Sequence, residues 1–314
     1  MLIIDLLLFL LSIAVLVISA REAVKHSTNI ARVFHLSEFI VSFFIIAVIS
    51  VFPEGTVSII SAIKGVSEFG LGALFGSNVA DLALVLGIVA IFSVKGITIK
   101  NEILRNDLLY LVLLLVPIIL GFDGYFSRTD GLLLVLSGAV FFLTLLIQSK
   151  MFTKVFDGIR SRKWGKQFIY LVISMAFLLL SAYGAVRFGV NFANDVKMPP
   201  FLIAITIVAI GSCLPELIFS LKAVRAGLNK LAIGDVLGNV IIDATIIVGI
   251  LALIRPFNFN PMIIYVTATM MFIAGVLVTI FIRTGKVLTK KEGILLLLFY
   301  IASLIIGFIA NKGF

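Results

Sequence analysis

The chain has 314 residues, 61% of them hydrophobic and 13% charged, with a formal charge of +9 and a mean hydropathy of +1.24. A soluble domain of this length cannot hide so much apolar surface, which leaves an all-α polytopic membrane protein. The single cysteine, Cys213, excludes a disulfide framework and a cysteine-based metal site, and no nucleotide-binding motif is present for an ATP-driven pump.

A membrane span needs about 20 mostly apolar residues. Ten stretches qualify: 2–20, 37–63, 69–94, 107–122, 131–149, 167–188, 199–223, 230–254, 260–282 and 293–310. The first has no basic run before it, so it reads as a spanning helix and not as a cleaved leader. After it come His26 and His35, read as solvated loop residues, and Asp5 reads as solvated near a membrane edge. Five spans lie on each side of segment 150–166, which carries six basic residues and one acidic residue. The expected organisation is therefore a five-helix unit over 1–149, a basic linker over 150–166 and a second five-helix unit over 167–314.

The loops after spans one, three, five, seven and nine, counted with the span ends that carry Lys222 and Lys230, hold 19 of the 25 Lys and Arg residues. The positive-inside rule then places these loops in the cytoplasm and both termini outside. The basic charge is explained by topology, with anionic lipid contact as an extra, and no nucleic-acid partner is expected.

Shifting the chain by 162 residues lays "AVISVFPEGTVS" (47–58) on "AIGSCLPELIFS" (209–220). Pro53 meets Pro215, Glu54 meets Glu216, Ser58 meets Ser220 and Asp81 meets Asp243. Four glycines, Gly65, Gly72, Gly76 and Gly87, meet Gly227, Gly234, Gly238 and Gly249. The repeated motifs run over 43–90 and 205–252. Five spans per half is an odd number, so the second half crosses the membrane in the opposite sense. Two inverted five-helix repeats are the architecture of many secondary transporters, whose sites lie at the midplane on broken helices.

Ser50, Glu54 and Ser58 share one helical stripe, as do Ser212, Glu216 and Ser220. Pro53 and Pro215 lack an N–H, so the carbonyls of Ile49 and Gly211 lose their usual helical donors. Ser77 and Asp81 share a face in the third span, answered by Asn239 and Asp243 in the eighth. Asp235 matches Ala73 and reads as a helix-end or entrance residue. Asn78 matches Val240, so any role it has belongs to one half.

Four carboxylates, Glu54, Asp81, Glu216 and Asp243, thus stand at membrane depth with no Lys or Arg beside them. Each costs roughly 2.5–3.5 kcal/mol there, and together they call for a metal cation. Oxygen ligands alone favour calcium, sodium or magnesium over zinc or copper. Magnesium sheds water reluctantly, which puts calcium first.

"SVFPE" (50–54) with "GALFGSNVAD" (72–81), and "GSCLPE" (211–216) with "GDVLGNVIID" (234–243), resemble the α-repeats of the calcium/cation antiporter superfamily, in its sodium/calcium exchanger branch. The resemblance implies a Ca²⁺ site at Glu54 and Glu216 with Asp81 and Asp243 beside it. It implies accessory ion ligands at Ser50, Ser77, Ser212 and Asn239 and at the carbonyls of Ala47 and Ala209. It also implies alternating access by movement of the first span of each half. Transport would exchange Ca²⁺ for Na⁺ or H⁺, with no cofactor and no catalysis. Departures from the family pattern are Val51 and Cys213 where a hydroxyl is usual, Ile49 for glycine, Asn239 for serine, and Asp81 where Asn is common. Fewer hydroxyls and one more carboxylate raise the case for proton coupling, because H⁺ can neutralise a carboxylate in excess, but the Gly-Asn-Ala-x-Glu turns of the proton-coupled branch are absent, so the resemblance leaves the coupling ion open between Na⁺ and H⁺.

Other readings are a scaffold carrying Mg²⁺ or Mn²⁺, a cation channel, and an intramembrane aspartyl protease using Asp81 and Asp243. The protease reading lacks its Tyr-Asp and Gly-x-Gly-Asp contexts and leaves Glu54 and Glu216 unexplained.

Overall fold

The computed structural model describes residues 2–33, 51–93, 96–98, 107–149, 164–225, 227, 229–285 and 287–312. Ile49, Ala47, Ser50, His35 and linker residues 150–163 lie outside the described residues. The chain is almost wholly helical, as its apolar runs require, since a helix satisfies its own backbone where water is absent. Among the described residues seven helical stretches are long and apolar enough to cross a bilayer: Leu2–Ala23, Ser67–Phe92, Gly165–Asp195, Pro200–Arg225, Ala232–Ile254, Tyr265–Thr284 and Lys290–Ala310. Leu108–Leu120 is a shorter apolar helix.

Helices α1 (Leu2–Val33) and α6 (Trp164–Asp195) are each 32 residues long, well beyond the predicted spans. Residues 164–166, assigned to the linker by sequence, are already helical. The two helices pack along each other and change the reading of His26. That side chain is buried on α1, with Nδ1 2.6 Å from Gln167 Oε1 and its ring stacked on Tyr170 at 5.1 Å. It is a helix–helix contact and not a solvated loop residue.

In the first half follow α2 (Phe52–Lys64), α3 (Ser67–Phe92), α4 (Asp107–Leu120) and α5 (Arg128–Ser149). In the second half follow α7 (200–212), α8 (Leu214–Arg225), α9 (229–254), α10 (261–285) and α11 (Lys290–Lys312). Two small ribbons, not foreseen in the sequence, tie the halves together. β1 (Ile97–Thr98) pairs antiparallel with β4 (Val287–Leu288), and β2 (Tyr125–Phe126) pairs antiparallel with β3 (Phe257–Asn258).

The 162-residue repeat recurs in the irregularities of the backbone. Wider π-helical turns interrupt α3 at Ala80–Val85 and α9 at Ile242–Ile247. Gly65 and Gly227 both adopt positive φ, 76° and 77°, where glycine avoids the Cβ clash. Ser58 Oγ donates to the Gly70 carbonyl at 2.9 Å, and Ser220 Oγ donates to the Ala232 carbonyl at 3.5 Å. These pairs are all related by the same shift.

Each half also receives a helix of the other at glycine contacts. A Cβ added at Gly87 on α3 would stand 2.9 Å from the Gly293 carbonyl of α11, and one at Gly249 on α9 would stand 2.7 Å from the Gly131 carbonyl of α5. Small residues let these backbones touch. The main core fills the space among α2–α5 and α7–α11. A separate, smaller cluster includes Phe9, Ile13, Leu16, Leu178 and Ala182 of α1 and α6, packed on Phe69 and Val208. Ile3, Leu7, Phe168 and Leu180 face outward, as lipid contact demands.

Gly87→Leu or Gly249→Leu must push two backbones apart, and is expected to lower stability by about 1–3 kcal/mol. Gly165→Ala, with nothing within 4 Å of the added carbon, is expected to leave the unfolding temperature in detergent unchanged. Thermal unfolding of the three variants checks both statements.

Candidate functional site

The site is assembled from two helix starts and two π turns. Pro53 stands in the first turn of α2, where a missing N–H does no harm, and Glu54 follows it. In the second half the helix breaks for one residue at Cys213, and α8 restarts with Pro215 and Glu216. The N–H of Gly55 donates to the Val51 carbonyl at 2.8 Å, and that of Leu217 to the Cys213 carbonyl at 3.0 Å, so the first turns of α2 and α8 are closed alike. Asp81 and Asp243 are each the second residue of a π turn. Such turns carry an extra residue per turn, which swings a side chain out of helical register and is common at functional sites.

All four carboxylates point into the protein. Glu54, Asp81 and Asp243 are 0% exposed and Glu216 is 1% exposed. Both carboxylate oxygens of Glu54 and Glu216, and Oδ1 of Asp243, have no hydrogen-bond partner among the described residues, whereas Asp81 faces the Cys213 thiol. The charge of Glu54 reaches Glu216 and Asp243, and that of Asp81 reaches Glu54, Glu216 and Asp243. Among the described residues no lysine or arginine contributes at any of them. The described cations stay at the rim. There Lys64 Nζ lies 3.5 Å from the Tyr183 ring centre, and burial, then the charge of Arg187, hold its ammonium below the usual lysine range. No three His, Cys, Asp or Glu side chains among the described residues are drawn close enough to hold a metal ion between them.

The accessory residues divide. Ser77 Oγ donates to the Leu74 carbonyl at 2.9 Å and stands 3.4 Å from Asp243 Oδ2, which links the two halves. Ser212 Oγ donates to the Ala209 carbonyl at 3.2 Å, and the same carbonyl accepts the Cys213 N–H at 3.2 Å. Both serines thus bond their own helix. Asn239 is fully buried. The Gly211 carbonyl, expected to be freed by Pro215, accepts an N–H of the turn that closes α7, so the proline opens less backbone than the sequence suggests.

Three residues take places that the sequence reading did not give them. Asp235, read as a helix-end or entrance residue, is 0% exposed, and its charge reaches Glu54 and Glu216. Its position one turn before Asn239 and two before Asp243 was the available signal. Cys213 is buried, donates its thiol to the Ser77 carbonyl at 3.5 Å and lies beside Asp81. Tyr110, on α4, is buried with its hydroxyl unpartnered, and no motif in the sequence marks it.

The sodium/calcium exchanger protein family profile matches residues 4–149 and 166–309. The chain belongs to the sodium/calcium exchanger family. It is 27% identical to the sodium/calcium exchanger MaX1 of Methanosarcina acetivorans over 98% of this chain and 99% of that one. It is 30% identical to the putative antiporter CaxA of Alkalimonas amylolytica over 93% of this chain and 95% of that one. Among solved structures it is similar to the exchanger NCX_Mj, in crystals soaked with 2.5 mM Na⁺ and 10 mM Sr²⁺, with a TM-score of 0.70 and 26% identity over 97% of this chain and 99% of that one. Membership fits an integral membrane protein whose polar interior is made of carboxylates.

Glu54→Gln removes a buried charge that no side chain offsets. In ion-free detergent solution this variant is expected to be more stable than the parent by about 1–3 kcal/mol. An unfolding temperature equal to or below the parent's would show that the carboxylate is already satisfied.

Proposed function

We propose that this protein is a secondary-active antiporter that exports Ca²⁺ in exchange for Na⁺ or H⁺. The observation that carries the reading is the set of four buried carboxylates, two from each half, with no cationic side chain among the described residues to neutralise them. A carboxylate at this depth needs a counter-charge, and a transported cation supplies one that can leave again. In this reading Glu54 and Glu216 hold Ca²⁺, with Asp81 and Asp243 beside it. Ca²⁺ typically takes about six to eight oxygens in flexible geometry, so a loose set that tightens on binding suits it. Ser50, Ser77, Ser212 and Asn239 and the carbonyls of Ala47 and Ala209 complete the ion ligands, and Pro53 and Pro215 set the breaks that present them. The names of the exchanger relatives agree with this substrate class.

The architecture proposed for it is ten spanning helices in two inverted five-helix repeats, 1–149 and 167–314, joined by the linker 150–166. Both termini lie outside and the basic loops in the cytoplasm. The separate hydrophobic cluster beneath α1 and α6 supports a mechanism in which this pair slides across the core, opening the site to one side at a time. Rigid packing at the Gly87–Gly293 and Gly249–Gly131 crossings keeps the core in place meanwhile. A second reading, with H⁺ as the coupling ion, is favoured by Asp81, a buried carboxylate where the family commonly has Asn.

Radioactive Ca²⁺ uptake into proteoliposomes under an outward Na⁺ gradient, an outward H⁺ gradient or neither tests the proposal. Gradient-driven uptake is expected, and Glu54→Gln with Glu216→Gln is expected to reduce it at least about 100-fold, the loss of roughly 2.7 kcal/mol of binding. Uptake of Mn²⁺ or Mg²⁺ but not Ca²⁺ would move the substrate, and uptake that continues without any counter-gradient and carries steady current would indicate a channel.

A further inference from the structure

At the end of α2 three cations from three helices meet without a counter-charge. Lys64 closes α2, and its Nζ lies 3.5 Å from the Tyr183 ring centre on α6. Arg187 follows Tyr183 by four residues, on the same face of α6. Arg255 follows the last residue of α9, and its guanidinium reaches the end of α2, where a Cβ at Gly65 would stand 2.7 Å from Nη1. Arg187 and Arg255 are exposed, and Lys64 is half-buried. Among the described residues none of the three forms an ion pair. The carboxylate nearest to Lys64 in the chain, Glu68, accepts the Asn260 N–H at 2.9 Å.

Local structure accounts for only part of this charge. Lys64 and Arg255 stand at helix C-terminal ends, each equivalent to about half a negative charge. Two such ends offset about one unit of charge against three. The repeat does not call for the cluster either. Under the 162-residue shift Lys64 corresponds to Ala226 and Arg255 to Ser93, and Lys25, the counterpart of Arg187, is paired with Glu22 at 2.7 Å.

Next to the cations the surface turns apolar. Ile63, beside Lys64, is 66% exposed, and Leu180, one turn before Tyr183 on α6, is 70% exposed. Tyr183 is 50% exposed and stands at the border of the two zones, where an amphipathic ring suits a membrane interface. Cations set against an apolar wall match an amphiphile with a phosphate head and hydrocarbon chains. A free anion would use the cations alone and leave the wall without a role.

We propose that Lys64, Arg187 and Arg255 bind the phosphate of an anionic phospholipid in the outer leaflet, with its chains against Ile63 and Leu180. Arg187 rides on α6, whereas Lys64 and Arg255 belong to α2 and α9, so the bound phosphate ties the sliding pair to the core. The leaflet and the tie rest on the topology and mechanism proposed above.

The test uses the full chain purified in detergent and a phosphatidylglycerol with a photoactivatable group on one acyl chain. Labelling of the peptides that hold Ile63 and Leu180 is expected, and unlabelled phosphatidylglycerol is expected to compete at least about tenfold better than phosphatidylcholine with the same chains. Lys64→Gln, Arg187→Gln and Arg255→Gln together are expected to lower the labelling at least about tenfold, Lys64→Gln alone about threefold, and Lys64→Arg to leave it unchanged. Equal competition by phosphatidylcholine would overturn the proposal, as would unchanged labelling in the triple variant. So would displacement by millimolar inorganic phosphate, the mark of a site for free anions, or a loss in Lys64→Arg equal to that in Lys64→Gln, the mark of a structural role. Asp195→Cys, exposed at the end of α6, reports the leaflet through its reaction with a membrane-impermeant maleimide in spheroplasts. Reaction only after the membrane is opened would overturn the topology and with it the leaflet, while the lipid competition decides the site by itself.

Discussion

A set of buried carboxylates with no cationic side chain beside them among the described residues is the constraint from which the rest of the proposed function follows. Four of them at roughly 2.5–3.5 kcal/mol each amount to on the order of 10 kcal/mol, comparable with the whole net stability of about 5–15 kcal/mol that a folded protein has to spare. Such a set is not kept for strength. A hydrophobic replacement of similar volume would stabilise the fold, and the glycine crossings and large cores show that the chain packs well wherever it is free to. The carboxylates therefore make sense only with a partner that comes and goes. An ion that neutralises them on arrival and can depart to either side is at once what the fold lacks and what an antiporter carries.

The backbone is bent to the same end. In a regular helix Asp81 and Asp243 would sit in register with their apolar neighbours. The π turns at Ala80–Val85 and Ile242–Ile247 add a residue and swing them inward. Proline in the first turn of α2 and of α8 fixes where those helices begin, which places Glu54 and Glu216 beside helix N-termini, whose positive end favours a negative side chain. The two parts of the fold are packed differently. Backbone-to-backbone glycine contacts hold the centre, whereas α1 and α6 meet it through side chains of a separate cluster.

Much of this is legible in the chain because it is written twice. Pro-Glu, the glycines and the two Asp residues recur in one register, and a repeat that survives in polar and special-φ residues is hard to produce by chance in apolar helices. What stayed hidden was whatever occurs once or depends on distant packing. Tyr110 has no counterpart of its own kind, and nothing near it in sequence marks it as facing inward. Asp235 was discounted because its repeat partner is Ala73, although its spacing from Asn239 and Asp243 put it on the same stripe. His26 read as a loop residue because α1 runs past its apolar span, and only the packing of α6 against it makes a polar contact there. Gly131 and Gly293 are also related by the shift, but they lie in spans where no polar residue drew attention to the match. Local periodicity reveals elements, and repetition reveals the site. Neither reveals which single residues a neighbouring helix will bring in.

The two halves are alike in scaffold and unlike in chemistry. A perfectly symmetric interior would offer two equivalent places to one kind of ion. Here the shared framework of Glu54, Glu216, Asp81 and Asp243 is overlaid with unshared groups. Asp235 adds charge near the two glutamates from one half, opposite Ala73. Asn78 and Tyr110 add neutral oxygen from the other half, opposite Val240 and Phe272. Clustered carboxylates of this kind suit a divalent ion. Because the charges of Glu54 and Asp81 reach the other shared carboxylates, a cation held by one of them would lower the attraction for the next. Competition between unlike ions for one connected set of carboxylates is the physical content of antiport, and it follows from placing unlike neutral and charged neighbours on a repeated frame.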